Sequence, residues 1–263
     1  GRVTALTLTR LDVRTALILK GQNRLEVEID DRLTETSVPG GPTSFLVPYY
    51  GPIAYTFPIP WEHKPGIVRD VSLVYSPRPL MTDVFAVQTL SADLRRVNVR
   101  VRVRVRGEVP QNVTALVGVT RGVVPVGNCK ATAFAASELA CTIMVIAPAL
   151  WSPEQPALYD LWVTLYDVSG IADAVSDRIG FRTIQVRGNQ IYLNNQPVFL
   201  RGISRHDLYG TRDFVASPQI IDQDLVRIKQ LGVNFIRAIH YPPDERVVRR
   251  ADELGLLLSE EIP

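Results

Sequence analysis

The sequence is poor in the residues that metal centres need. It contains two cysteines and three histidines in 263 residues. Because no histidine lies near Cys129 or Cys141 in the sequence, we do not expect a metal site at the cysteines. Both cysteines fall on neighbouring predicted strands, where two buried thiols are the favoured interpretation and a disulfide across a hairpin is the alternative. This leaves the cellular compartment open, cytoplasmic or exported.

Long apolar runs and a strong net charge are also missing. No run approaches the roughly 20 residues of a membrane-spanning helix, so we expect no membrane partner. The net charge of +2 is too small to indicate nucleic acid as a partner. Hydrophobic residues make up 46% and charged residues 21% of the chain, a composition typical of soluble globular proteins with room for two or three domains.

The first 80 residues predict β structure around a long loop. Apolar and polar residues alternate over residues 23–30, which predicts a half-buried strand, and residues 67–75 predict a second strand. The loop between them, residues 37–65, is rich in proline and glycine and carries several aromatic residues. We therefore expect an ordered loop packed on a neighbouring element.

Residues 81–185 predict an immunoglobulin-like β-sandwich. Valines occupy every second position from Val97 to Val105, and arginines alternate with them from Arg100 to Arg106. Period two places the valines on one face of a strand and the arginines on the other. We expect exposed arginines that protect an edge strand; a nucleic-acid stripe is the alternative. Further strands near residues 114–119, 141–147 and 158–167 bring the total to about seven.

From residue 186 onward the pattern changes to alternating strands and helices, which indicates a parallel α/β domain. Asn194-Asn195 predicts a tight turn before the first strand. Three strands end near residues 207, 242 and 261, and each carries basic and acidic side chains at its carboxyl end. In βα units that end of the strand presents groups to a ligand.

Helix boundaries in this segment are clearly marked. Ser217 followed by Pro218 predicts a helix start, apolar residues then recur at helical spacing, and Gly232 predicts the end. A second helix is predicted to begin at Asp244 and to end at Gly255.

Three groups of motifs, in order along the chain, resemble glycoside hydrolase family 2, which contains β-galactosidases, β-glucuronidases and β-mannosidases. The family's barrel domain is resembled by residues 181–202, His240-Tyr241-Pro242 and Glu260-Glu261. Its immunoglobulin-like domain is resembled by residues 150–159, and the last strand of its sugar-binding jelly roll by residues 66–71. The resemblance implies a multidomain β plus α/β fold: residues 1–80 the last part of a jelly-roll-like β-sandwich, residues 81–185 the immunoglobulin-like sandwich, and residues 186–263 the first three βα units of an incomplete TIM barrel.

By the same resemblance, this chain carries part of a substrate pocket. The expected substrate-binding residues are Arg201, His206, Asp207, Arg237, His240 and Glu261, with His206 and Asp207 facing the pocket. For His206 a structural hydrogen bond is the alternative, and for Arg237 a salt bridge to a carboxylate at a neighbouring strand end. Ser204 stands where the family usually has asparagine.

A retaining glycosidase needs two carboxylates about 5–5.5 Å apart. In the resembled family these are glutamates after the fourth and seventh barrel strands, so the acid/base and the nucleophile are expected beyond Pro263. The resemblance implies part of a retaining, exo-acting β-glycosidase (an O-glycosyl hydrolase) that acts on terminal β-linked sugars, with this chain inactive alone. The alternative is a non-catalytic carbohydrate-binding or scaffold protein.

The remaining expectations concern substrate, cofactor and partners. β-Galactosidase is slightly favoured over β-glucuronidase by the similarity of residues 69–73, although Glu62 does not align with the family's carboxylate in the preceding loop. The expected partner is a carbohydrate substrate, with no nucleic acid, and a homo-oligomer is left open. No cofactor is identifiable, and a divalent cation in the longer enzyme stays open because the family's metal ligands would lie beyond Pro263.

Overall fold

The computed structural model describes most of the chain after residue 78. The described residues are 11–13, 15–18, 20–29, 66–74, 79–106, 113–133, 137–209, 215–239 and 241–261. They contain thirteen strands and two helices. Neither helix in these ranges has the length and apolar character required to cross a bilayer.

Seven antiparallel strands form a two-sheet sandwich. They are β1 (Leu80–Leu90), β2 (Arg96–Arg106), β3 (Val113–Arg121), β4 (Val124–Ala133), β5 (Glu138–Ile146), β6 (Tyr159–Asp167) and β7 (Gly170–Ile179). One sheet has the order β1-β2-β5 and the other the order β4-β3-β6-β7. This is the arrangement of an immunoglobulin-like domain.

The alternating valines of β2 build one side of the sandwich core. All five are buried, and they pack with inward residues of β3 and β6 from the opposite sheet. The arginines between them lie on the outer face, as the period-two pattern predicts. The expectation that β2 is an edge strand is wrong, because β2 pairs with β1 on one side and with β5 on the other.

The two cysteines form a disulfide, so the favoured interpretation as separate buried thiols is wrong. Cys129 lies on β4 and Cys141 on β5, with a Cα–Cα distance of 6.0 Å. These strands belong to different sheets, so the bond joins the two layers of the sandwich. The predicted alternative, a disulfide between consecutive strands, is confirmed for the bond itself, although the two strands do not pair as a hairpin.

A small antiparallel sheet follows the sandwich. Its strands are β8 (Ile184–Arg187), β9 (Gln190–Leu193) and β10 (Gln196–Val198). The predicted tight turn between β9 and β10 is confirmed: Asn194 and Asn195 have φ values of 51° and 64°, a backbone conformation that asparagine tolerates better than most residues.

The predicted strand–helix alternation after this hairpin is confirmed. Its elements are β11 (Gly202–Arg205), α1 (Pro218–Gln230), β12 (Phe235–Ala238), α2 (Glu245–Leu254) and β13 (Leu257–Ser259). The strands form one parallel sheet in that order. Helix α1 begins after Ser217, and α2 begins after Asp244, whose side chain accepts a hydrogen bond from the Arg246 amide at 2.8 Å. Gly255 ends α2 in the left-handed conformation, at φ 71°.

Trp151 joins the sandwich to the parallel α/β segment. Its side chain is 1% exposed, and its indole Nε1 donates to the Asp252 carbonyl of α2 at 2.8 Å. Nearby, the Lys229 ammonium donates to the carbonyls of Pro153 and Gly255 at 2.8 and 2.9 Å. The chain after β5 is therefore held against the ends of both helices.

The two strands predicted before residue 80 are not found. Residues 20–29 and 66–74 are described, and no strand is assigned in either range. An alternating pattern shows which side chains could share a face, but a strand also needs a partner backbone to satisfy its N–H and C=O groups. The loop predicted at residues 37–65 lies outside the described residues.

Candidate functional site

The carboxyl ends of the three parallel strands meet at one edge of their sheet. In register, Ser204 of β11 pairs with Arg237 of β12, and Arg237 pairs with Ser259 of β13. His206, Tyr241 and the carboxylates after β13 follow directly. The parallel arrangement therefore places the polar strand ends side by side.

The two faces of this sheet have different environments. Ile236 and Ala238 of β12 are buried against the helices, whereas Arg237 between them is exposed on the opposite face. Around the end of β11 the same alternation buries Arg205 and Asp207 and leaves His206 on the more open side. The open face, which carries Arg237 and His206, is therefore the candidate ligand-binding face.

An ion pair lies on that open face. The Arg237 Nε and Nη2 atoms lie 2.7 and 2.5 Å from Glu261 Oε1. The predicted alternative for Arg237, a salt bridge to a carboxylate at a neighbouring strand end, is thereby confirmed. The Arg237 side chain remains 50% exposed and that of Glu261 27% exposed, so solvent reaches both groups.

His206 is oriented by a buried tyrosine. The Tyr241 hydroxyl lies 3.4 Å from His206 Nδ1, and it accepts a hydrogen bond from the Asp207 amide at 3.0 Å. Tyr241 is 1% exposed, and burial raises the pKa of its phenol to about 12. The hydroxyl is therefore protonated near neutral pH and fixes both the ring of His206 and the backbone that follows it.

Asp207 does not face the open side, contrary to the expectation from the family resemblance. Its side chain is 2% exposed. One carboxylate oxygen accepts from Arg69 Nη2 at 2.9 Å and from the Asp244 amide at 2.9 Å, and the other bonds to Arg205. Since both oxygens are occupied by protein donors, Asp207 holds the site together and offers nothing to a ligand.

Arg205 is the partner that Asp207 neutralises on the helix side of the sheet. The Arg205 side chain is 6% exposed and also donates to Asp224 of α1 at 2.9 Å and to the Tyr209 hydroxyl. Burial alone would lower the pKa of Arg205, but its interactions with Tyr209, Asp207 and Asp224 outweigh burial and raise that pKa. The guanidinium is therefore permanently charged inside the fold.

The structure does not bring Arg201 into this cluster. Arg201 precedes β11, so it lies at the amino end of the strand, opposite to His206. Its Nε donates to the Gly232 carbonyl just after α1 at 2.8 Å. The expectation that Arg201 lines the pocket is therefore not met, because a residue that precedes the first residue of β11 cannot lie at the carboxyl end of that strand. His240 lies outside the described residues.

Sequence reasoning missed the groups that support the site: Arg69, Arg205, Tyr209, Asp224 and Asp244. One signal was present, since alternation about β11 puts Arg205 and Asp207 on the face opposite His206. The ion pair between Arg69 and Asp207 could not be predicted from the neighbouring sequence, because the two residues are 138 positions apart.

Replacing Tyr241 by phenylalanine is expected to lower the free energy of unfolding by about 1–3 kcal/mol, because the buried Asp207 amide loses its acceptor. It should also change the response to alkaline pH. A phenol with a raised folded-state pKa loses stability as pH rises from about 10, its unfolded value, towards about 12. We expect the wild-type chain to lose stability over this window and Tyr241→Phe to lose less. Urea unfolding at stepped pH measures the difference; parallel curves for both proteins would contradict the assignment.

No three His, Cys, Asp or Glu side chains converge as a metal site would require, within the part of the chain that the structure describes. The described site is thus a set of hydrogen-bonding groups: an exposed arginine–glutamate pair beside a histidine. Such groups suit a polar, hydroxyl-rich ligand.

Two family models match the chain. Residues 80–182 match the model described as glycosyl hydrolases family 2, and residues 184–263 match that family's TIM barrel domain. A β-galactosidase of Alteromonas mediterranea is 31% identical over 205 residues, 74% of this chain and 20% of that protein. A putative β-glucuronidase of Formosa agariphila is 39% identical over 117 residues, 44% of this chain and 14% of that protein.

Solved structures of β-glucuronidases are also similar to this chain. The β-glucuronidase of Parabacteroides merdae, with glycerol in its active site, superposes with a TM-score of 0.68 at 26% identity, covering 72% of this chain and 25% of that one. The β-glucuronidase of Ruminococcus gnavus in complex with D-glucuronic acid gives a TM-score of 0.61 at 25% identity, over 71% and 31% of the two chains. The chain spans about a fifth of the length of the β-galactosidases it matches. It belongs to glycosyl hydrolase family 2, and it carries that family's immunoglobulin-like domain and part of its TIM barrel domain.

Proposed function

We propose that the protein to which this chain belongs is a retaining, exo-acting β-glycosidase that hydrolyses terminal β-linked sugars. The observation that carries the proposal is the set of polar strand ends on the open face of the parallel sheet, in a chain whose relatives are named as β-galactosidases and β-glucuronidases. In this proposal the chain supplies substrate contacts and no bond-breaking group.

Glu261 and Arg237 are proposed to bind sugar hydroxyls. Because the Arg237 guanidinium pairs with Glu261, the carboxylate is held in a fixed orientation in which it can accept a hydrogen bond from a sugar hydroxyl. The guanidinium retains exposed N–H donors. A hydroxyl that bridges both groups would have its direction fixed, which is how a pocket distinguishes one sugar epimer from another.

His206 and His240 complete the proposed contact set. His206 is placed by Tyr241 and remains partly exposed on the open face, and its imidazole is proposed as a substrate contact. Asp207 and Arg201, which the family resemblance also implied as substrate-binding, are proposed instead to hold the scaffold, for the reasons of burial and position given above.

The acid/base and the nucleophile are proposed to come from outside this chain. A retaining mechanism needs two carboxylates about 5–5.5 Å apart, and the carboxylate on the described open face, Glu261, is already paired with arginine. The domain division at residues 80 and 185, with a jelly-roll portion before residue 80, belongs to the same proposal.

Glu261→Gln in the complete gene product is expected to reduce kcat/KM by about 100-fold, because a sugar hydroxyl loses a charged acceptor in the transition state. The matched control is Glu260→Gln, which removes the same charge from the exposed neighbouring residue and should leave kcat/KM within about twofold. A panel of nitrophenyl β-glycosides provides the measurement and also identifies the sugar, for which β-galactoside is slightly favoured over β-glucuronide.

Two results would count against this function. Turnover of any nitrophenyl β-glycoside by the 263-residue chain alone would contradict the placement of the catalytic glutamates elsewhere. No turnover of any member of the panel by the complete gene product, together with retained sugar binding, would favour a non-catalytic carbohydrate-binding protein.

A further inference from the structure

The outer face of the sheet β1-β2-β5 carries a row of arginines that the proposed glycosidase site does not use. Arg100 and Arg102 form the middle of the row, Arg96 stands at one end, and Arg104 and Arg106 at the other. We call this surface the basic face. Side chains two positions apart on a strand are separated by about 7 Å, so the arginines from Arg100 to Arg106 form a regular array of cations, and Asn98 separates them from Arg96.

Carboxylates balance the basic face only at its ends. Glu138 and Asp83 lie 3.2 and 3.9 Å from the Arg104 guanidinium, and Asp93 interacts electrostatically with Arg96. Among the described residues, no ion pair involves Arg100 or Arg102. The middle of the row is therefore a site of uncompensated positive charge.

Apolar side chains flank the arginines on both neighbouring strands. On β1, Phe85 and Val87 are 49% and 42% exposed and pair with Arg102 and Arg100. On β5, Met144 and Ile146 are 54% and 69% exposed and pair with Asn98 and Arg96. Phe85 pairs with Arg102 across the ladder, and the Arg102 guanidinium lies 5.1 Å from the Phe85 ring centroid. The surface thus combines a line of charge with apolar side chains beside its centre on β1 and beside its Arg96 end on β5.

The chemistry of this surface limits what can cover it. A second copy of the chain would set arginines against arginines, which like-charge repulsion opposes. Single-stranded nucleic acid is held by aromatic rings on which bases stack. Among the described residues this face carries one aromatic side chain, Phe85, which is already covered by Arg102. A linear acidic polysaccharide fits both features, since arginine forks bind carboxylate or sulfate groups and the apolar faces of sugar rings pack on aliphatic side chains.

We propose that the basic face is a docking surface for an anionic polysaccharide, with Arg100 and Arg102 as its central contacts. The choice of a sugar polymer rests on the proposed glycosidase function, whereas the docking itself needs no catalysis. Bound in this way, a polymer would be retained near the enzyme while its terminal sugars are removed.

Titration of the 263-residue chain with defined polymers tests the proposal directly. The probes are polygalacturonate for carboxylates, dextran sulfate for sulfates, neutral dextran as the uncharged control and poly(U) as the nucleic-acid control. We expect binding to at least one acidic glycan that weakens as salt is added, no binding to neutral dextran, and weaker binding to poly(U). The response to the two acidic polymers identifies the anionic group.

Arg100→Gln/Arg102→Gln is expected to raise the Kd for the acidic polymer by about 10- to 30-fold, from the loss of two favourable charges. The matched control Arg187→Gln/Arg227→Gln removes the same charge from exposed residues elsewhere and should change the Kd by less than about twofold. Arg100→Lys/Arg102→Lys, which keeps the charge and loses the planar fork, should fall between them. Thermal unfolding of each variant verifies the fold.

Three outcomes would overturn the proposal: no binding to either acidic glycan at low salt, equal loss in the control pair, or tighter binding to poly(U). The docking proposal and the glycosidase proposal can fail independently of each other. Hydrolysis of small nitrophenyl glycosides by the complete gene product should be unchanged in Arg100→Gln/Arg102→Gln. An inactive protein that still binds acidic polymers would overturn only the glycosidase proposal.

Discussion

Asp207→Asn is expected to lower the free energy of unfolding by about 3–5 kcal/mol, because it leaves the buried Arg205 guanidinium without its main counter-charge. The side chains of Arg205 and Asp207 are 6% and 2% exposed, so water cannot replace the lost partner. The same change weakens the contact to Arg69 and the hydrogen bond from the Asp244 amide. One substitution therefore affects the strand, helix α2 and the segment before the sandwich together.

Urea unfolding of wild type and Asp207→Asn measures this loss. The matched control is Asp222→Asn, which breaks an ion pair to Arg246 in which the two side chains are 30% and 46% exposed. Exposed pairs contribute about 0–1 kcal/mol, so the control should remain close to wild type. Equal losses in the two variants would show that Asp207 makes only a surface ion pair.

Trp151→Ala is expected to cost about 3–5 kcal/mol, the range for truncating a large buried aromatic residue. Trp151 packs with Leu193 and Leu257, and its indole N–H has a carbonyl partner in α2. Because these contacts join the sandwich to the α/β segment, we expect the single unfolding transition to separate into two, with the α/β segment unfolding first.

Calorimetry combined with limited proteolysis near residues 180–184 measures both effects. Trp162→Ala is the matched control, since Trp162 lies on the sandwich surface at 38% exposure and should cost far less. Trp151→Phe separates packing from the hydrogen bond, and we expect it to recover most of the lost stability. A single unshifted transition in Trp151→Ala would exclude a role for this residue in holding the two segments together.

Local patterns predicted the elements well. The alternating valines predicted that β2 is a core strand. The proline after Ser217 predicted the start of α1, and Gly255 predicted the end of α2. Each of these signals acts within a few residues, so the local sequence was enough. The Asn194-Asn195 turn was predicted for the same reason.

Features that depend on distant partners were not predictable. The position of β2 in its sheet and the pairing of Cys129 with Cys141 are set by which strands become neighbours. At the candidate site, the polar strand ends were predicted from the sequence, and the Arg237 salt bridge was one of two interpretations that the sequence left open. The burial of Asp207 did not, because Arg69 and the Asp244 amide approach it from elsewhere in the chain.

The ion pair between Arg69 and Asp207 also bears on the order in which the chain folds. Its two residues are 138 positions apart, and the whole sandwich lies between them. During synthesis Arg69 leaves the ribosome long before its carboxylate exists, so the sandwich can close while Arg69 still lacks this partner. Contacts of such sequence separation carry a large loop-closure entropy cost and slow folding. The charged cluster that fixes the strand end beneath His206 therefore takes one of its partners from a segment that precedes the whole sandwich.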